Sequence, residues 1–247
     1  MMPLLKKFCS PLFAAGLLFS GGALAETVPH FLTAAEAPDS FAILPPPPAF
    51  DSVEFLRDKA FYDWGVAQRK TARGKLAWQD ANVKAENIPL LFSTAFGYSL
   101  TQQQAPEIYR LMITMKEDAG TWATASAKKH YQRIRPFSFY GVPTCRQEDE
   151  STLAGEGSYP SGHTTIGWAL ALVLAEINPA RQQDILRRGL EIGESRVICG
   201  YHWQSDIDAA RTMAAAVVAR LHASAEFNQQ MEKAKAEFAR LAAGGAP

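Results

Sequence analysis

Residues 160–178 read PSGHTTIGWALALVLAEIN, the most apolar stretch of a 247-residue chain. Ile166, Trp168, Ala169, Leu170, Ala171, Leu172, Val173, Leu174 and Ile177 would surround a helix almost completely. A helix that is apolar on every side belongs inside a protein or a bilayer. This one is shorter than the roughly 20 residues that a bilayer crossing takes, so it is expected as the buried centre of a helical fold.

Helical signals continue on both sides. Pro179 stops the central segment and is expected to open a second helix through Leu190, because proline suits a first turn and breaks an interior. Further helices are expected over Asp206–Leu221 and Phe227–Leu241. Upstream, Ser52 and Glu54 read as a capped helix start, with Phe55, Leu56, Ala60, Phe61 and Trp64 as its apolar face. A long helix is expected from about Ala105 to Ile134, since Ile108, Leu111, Met112, Met115, Ala123 and Ala127 recur at helical spacing, and Gly120 is the point where it can break. Pro45-Pro46-Pro47-Pro48 reads as an extended connector. Alternating strand patterns, internal repeats and long charge blocks are missing. The fold class is therefore all-α, a single compact domain around a buried central helix.

The first 25 residues are expected to stand outside that domain. Lys6 and Lys7 precede an apolar run from Pro11 to Leu18, and small residues lead to Ala23-Leu24-Ala25. This is the three-part pattern of a secretory signal cleaved after Ala25, which leaves a domain over residues 26–247. Lys and Arg total 25, as do Asp and Glu. Loss of Lys6 and Lys7 brings the remainder to about −2, and no global positive field argues for nucleic acid or an anionic membrane. An anion site must be built locally. Cys9 leaves with the leader, so Cys145 and Cys199 remain as an even pair, which an exported chain favours as a disulfide over two buried thiols. The sequence holds no Cys-x-x-Cys, His-Glu-x-x-His or EF-hand pattern, and no metal is expected.

Three clusters of reactive residues interrupt the helical pattern: Lys128 to Pro136, Gly157 to His163, and Ser195-Arg196 followed by His202 and Asp206. Singly, each has a plain reading. Lys128 and Arg135, seven apart, fit a solvated face of one helix; Pro160-Ser161-Gly162 fits a turn and helix start; His202 and Asp206 fit a surface pair. Together they suit phosphoryl transfer. Lys128, Arg135 and Arg196 supply three cations for the charge on a phosphoryl group. Ser161 offers a hydroxyl and Gly162 a backbone N–H at a helix start, where anions are favoured. Asp206 can take the Nδ1 proton of His202 and leave Nε2 free to attack phosphorus, while His163 protonates the leaving oxygen and then activates water.

The ordered pattern is Lys128, six residues, Arg135-Pro136; then Pro160-Ser161-Gly162-His163; then Ser195-Arg196, five residues, His202, three residues, Asp206. It resembles the type 2 phosphatidic acid phosphatase superfamily, which includes the vanadium haloperoxidases. The segments at 157–163 and 194–206 look more narrowly like the bacterial class A non-specific acid phosphatases, without departure at any motif position. The resemblance implies a periplasmic all-helical enzyme, often an oligomer of identical chains, that hydrolyses many phosphomonoesters without metal or other cofactor. It implies His202 as nucleophile, His163 as acid and Asp206 as orienting group, with Lys128, Arg135, Ser161, Gly162 and Arg196 around phosphate. The implied partners are small phosphomonoesters and inorganic phosphate, neither nucleic acid nor membrane, with transfer to alcohols as a second outlet. A Cys145–Cys199 bridge would tie the first and third clusters together.

Other functions fit parts of the pattern. The same cradle could hold vanadate in a haloperoxidase, or favour nucleotides in an apyrase-like phosphatase. A phosphate-binding protein would use the cations and the helix start, but it would have no need of His163 beside the His202–Asp206 pair.

Overall fold

A computed structural model describes residues 29–81 and 84–244; the expected leader, residues 1–25, lies outside them. The described residues form α-helices and short 3-10 or π turns, with no strand among them. In chain order the helices are α1 Ser40–Ile43, α2 Val53–Gln68, α3 Ala72–Asp80, α4 Ser93–Phe96, α5 Pro106–Glu117, α6 Ala123–Tyr131, α7 Pro136–Tyr140, α8 Glu150–Leu153, α9 Gly162–Ile177, α10 Gln182–Ile198, α11 Gln204–Leu221 and α12 Ala225–Ala243. None is long and apolar enough to cross a membrane. The fold is all-α.

The central segment forms as α9, capped at its start by Ser161, whose Oγ accepts from the Thr164 N–H. Helix α9 lies between α10 and α11, and α5 and α12 close the far side of the bundle. Ala169, Leu170, Ala171, Val173 and Leu174 are buried together with Met213, Val217 and Leu221 of α11. Each fully buried side chain of Leu or Val size contributes about 1.5–3 kcal/mol, so this one helix anchors much of the core. The N-terminal residues strap the bundle: the Phe31 and Leu32 N–H groups donate to Asp118, and Ser40 meets Ser126 on α6. The proline run at 45–48 has no helical structure, and the Pro45 carbonyl accepts from the Tyr159 hydroxyl.

Four expectations need correction. The helix expected from Ala105 to Ile134 is three pieces: α5, a π-helical turn at Asp118–Trp122 that contains Gly120, and α6. Helix α6 stops at Tyr131 because Gln132 turns left-handed (φ 42°), and Arg135 is extended because the residue before a proline is excluded from helix. Lys128 and Arg135 therefore share no helical face. Second, Pro179 opens only a 3-10 turn, Pro179–Arg181; α10 then runs past Leu190 to Ile198 and carries Arg196 in its last turn. Third, α11 begins at Gln204 rather than at Asp206, and His202 lies before it. Fourth, the buried face of α2 is Phe55, Asp58, Tyr62 and Gly65, while Leu56, Phe61 and Trp64 are exposed. A charge in register with that face outweighed apolar bulk, for reasons that emerge at the site.

Candidate active site

Five elements converge on one end of α9. The last turn of α6 brings Lys128, the extended segment after it brings Arg135, the first turn of α9 brings Gly162 and His163, and the last turn of α10 brings Arg196. The link from α10 to α11 brings His202, and the first turn of α11 brings Asp206. Two glycines make this possible. A Cβ on Gly162 would stand 2.8 Å from the Gly120 carbonyl oxygen, so α9 could not start so close to the π turn. Gly200 takes φ +81°, a left-handed step that lets the chain double back from α10 to present His202. A disulfide joins Cys145 to Cys199 at the end of α10, and the Cys145 N–H donates to the Cys199 carbonyl.

Lys128, Arg135, Gly162, His163 and His202 line a cavity of about 460 Å³. Ile88, Leu91, Phe92, Ile166 and Ile192 form its apolar wall. Lys128 Nζ donates to the Gly157 carbonyl at 3.1 Å. Arg135 donates to the carbonyls of Leu153 and Tyr201 at 2.9 and 3.2 Å. Arg196 is 1% exposed, stacks 4.1 Å above the Tyr201 ring, and has no hydrogen-bond partner at Nε or Nη1. Among the described residues no carboxylate forms an ion pair with any of these three cations. Burial first, then the Arg135 charge, lowers the Lys128 pKa to about 7, and burial lowers that of Arg196 to about 10. A buried cation without a partner costs free energy that a bound anion recovers.

The histidine geometry fixes a tautomer. His202 Nε2 lies 3.0 Å from Arg135 Nη1, and a guanidinium can only donate, so Nε2 carries the lone pair. The ring proton then sits on Nδ1, which faces Asp206 Oδ2 at 3.4 Å. The same Oδ2 accepts from the Trp203 N–H at 2.9 Å. Burial, then Arg135, Lys128 and Arg196, hold the His202 pKa well below its ordinary range. Burial, then Arg196, His202 and Lys128, do the same for His163. Both imidazoles are neutral at neutral pH while the cavity holds no anion.

Of the residues singled out from sequence, Lys128, Arg135, Gly162, His163 and His202 reach the cavity wall. Asp206 and Arg196 stand behind it, at 0 and 1% exposure. Ser161 is fully buried; its Oγ accepts from Thr164 Oγ1 at 3.0 Å, and its N–H donates to the Asp206 carbonyl at 3.1 Å. Ser195 faces away, with its hydroxyl on Asp80 and accepting from Arg73 at 2.9 Å. Sequence reasoning missed Arg133 and Asp58. Arg133 binds Asp206 Oδ1 at 2.6 Å and Asp58 Oδ2 at 2.8 Å. The signal for Asp58 was its register, three residues after Phe55 and four before Tyr62, which marks the buried stripe of α2.

Residues 110–230 match the PAP2 superfamily. The chain is 52% identical over 246 residues to the non-specific acid phosphatase of Providencia stuartii, which covers 98% of this chain and 99% of that protein. The chain belongs to the PAP2 superfamily. It is 45% identical to the non-specific acid phosphatase of Salmonella typhimurium, over 87% of this chain and 86% of that one. It is 36% identical to the acid phosphatase of Zymomonas mobilis, over 93 and 86% of the two chains. The match to the superfamily spans every residue singled out above from Lys128 to Asp206.

Proposed function

We propose that this protein is an acid phosphatase that hydrolyses phosphomonoesters through a covalent phosphohistidine on His202. The observation that carries the reading is the cavity wall formed by Lys128, Arg135 and the neutral His202, with the buried Arg196 guanidinium behind it unpartnered at Nε and Nη1. The relatives named as acid phosphatases support the substrate class.

A phosphomonoester enters with its phosphoryl oxygens toward Lys128, Arg135, Arg196 and the N–H groups at the start of α9. Arg135 transfers its Nη1 hydrogen bond from His202 Nε2 to a phosphoryl oxygen, which frees the lone pair. Nε2 forms a bond to phosphorus as the bond from phosphorus to the ester oxygen breaks, and His163 gives that oxygen a proton. Asp206 holds Nδ1–H and stabilises the positive charge on the phosphorylated ring. Water then attacks phosphorus, loses a proton to His163 and releases His202; an alcohol in place of water yields a new ester. Burial, then the neighbouring cations, keeps His163 neutral; the substrate dianion offsets the cations, so its proton arrives with the substrate. Export to the periplasm belongs to the same proposal and rests on the signal pattern in residues 1–25.

The test is phosphate release from an aryl phosphate in excess EDTA, with wild type and His202→Ala side by side. The expected outcome is EDTA-resistant turnover that falls by about 10⁴-fold or more in the variant. A folded wild type without turnover overturns the reading.

A further inference from the structure

We propose that Asp58 and Arg133 are positioning residues for the His202 nucleophile: a buried chain, Asp58–Arg133–Asp206, aims the Asp206 carboxylate at Nδ1 and leaves one net negative charge behind the ring. The inference rests on the phosphohistidine reading above and adds two residues from elements outside the cavity.

Both Nη nitrogens of Arg133 are engaged, and its buried Nε has no partner. Arg133 Nη1 takes Asp206 Oδ1 at 2.6 Å and Nη2 takes Asp58 Oδ2 at 2.8 Å. Ser205 Oγ accepts from Arg133 Nη1 at 2.7 Å and donates to Asp58 Oδ2 at 2.6 Å, and the Ser205 N–H donates to Asp58 Oδ1 at 2.8 Å. The three charged side chains are 2, 2 and 0% exposed. Phe50 and Trp203 rings roof the guanidinium at 5.9 and 5.8 Å, and Trp203 Nε1 fastens the Ile134 carbonyl beside it. At this burial water screens the charges little, so these groups dominate the geometry and charge balance.

Two features go beyond a strut between α2 and α11. Arg133 occupies Oδ1 and so assigns Oδ2 to His202; at 3.4 Å that contact is long for a hydrogen bond, and its alignment depends on how the carboxylate is held. Second, Arg133 alone would cancel Asp206. Asp58 restores a net negative charge, which the ring meets as it becomes cationic on phosphorylation. Around His202 stand Lys128 from α6, Arg135 from the extended segment, His163 from α9, Arg196 from α10 and Asp206 from α11. Asp58 is thus a further negative contribution in a largely cationic shell.

The test measures kcat, KM, the pH profile of kcat/KM and the inhibition constant of inorganic phosphate for Asp58→Asn and Arg133→Lys. For Asp58→Asn, kcat is expected to fall about tenfold, as when an outer partner of an oriented histidine is lost. KM and the phosphate constant stay near wild type, and the acid limb moves to lower pH because His202 loses a negative neighbour. Arg133→Lys keeps the charge but not the fork, so it lowers kcat with no displacement of the limb. Folded variants with wild-type kcat and profile overturn the proposal, as does a parallel loss of kcat and phosphate affinity. If Asp58→Asn does not fold, Ser205→Ala loosens the same joint without altering charge, and wild-type kcat there overturns it too. A wild type without turnover breaks the phosphatase reading instead, which keeps the two failures apart.

Discussion

Arg133 and Arg135 are two residues apart on one extended segment, and both are buried, at 5 and 2% exposure. Their surroundings are opposite. Arg133 points to α2 and α11, where two carboxylates and a serine engage both of its Nη nitrogens and leave only Nε without a partner. Arg135 points to the cavity, where it meets only carbonyl oxygens and the Nε2 of His202. Strict alternation would put residues two apart on the same face, so the divergence is set by their partners: Arg133 joins a buried charge network and Arg135 lines the cavity. The paired side is built to hold, and the unpaired side is built to receive. Removal of one partner from the first strands a buried charge, whereas the second carries buried cations that no carboxylate pairs.

That contrast can be broken by paired substitutions. Arg133→Met leaves Asp58 and Asp206 buried without a cation, and should lower unfolding free energy by about 3–5 kcal/mol in denaturant titrations. Arg196→Met removes an unpartnered cation instead. It should lower kcat/KM by about 10²–10³-fold yet raise the melting temperature in phosphate-free buffer. Equal destabilisation by both would erase the distinction between the two sides.

The disulfide sharpens it next. The bridge closes a separation of 54 residues at the Arg196 end of α10, and Cys145→Ala with Cys199→Ala should cost about 2–4 kcal/mol. The loss should raise KM and the phosphate inhibition constant more than it lowers kcat, since the histidine–aspartate side is held from α2 and α11. A pure kcat effect would show that the bridge supports the wrong side.

The smallest expected effect is on pH. Lys128 has its pKa lowered to about 7 by burial, then by Arg135. It loses its charge as pH rises through 7, so inorganic phosphate should bind about tenfold more weakly at pH 9 than at pH 6, one cation being worth about 1.4 kcal/mol there. The sign for folding is the reverse. The unfolded chain binds this proton more tightly between pH 7 and the ordinary value of 10.5, so this group's contribution to stability of the empty protein rises with pH across that window. Lys128→Met should abolish both trends, and a phosphate affinity flat from pH 6 to 9 would show that Lys128 stays charged.

Much of the molecule was legible in residue order. The run at 160–178 announced a buried helix because no face of it could meet water, and α9 is buried along most of its length. The candidate cluster stood out because few tasks need three cations, a glycine helix start and two histidines in one chain, and five of its residues line one cavity. Boundaries were less so. The 105–134 pattern kept helical spacing across Gly120, and nothing local foretold the left-handed Gln132 that ends α6. The face of α2 was misjudged because Leu56, Phe61 and Trp64 outbid Asp58 in apolar bulk.

By itself the sequence determined the helical class, the central helix and the candidate groups of the site, since periodicity and side-chain chemistry are local properties. Only the tertiary structure decided that Arg133 and Arg135 find different partners, that Ser161 caps α9, and that a carboxylate 148 residues before Asp206 joins the network behind His202. Those are questions of which buried charge finds which partner. The answer depends on segments far apart in the chain that meet only once the core has closed.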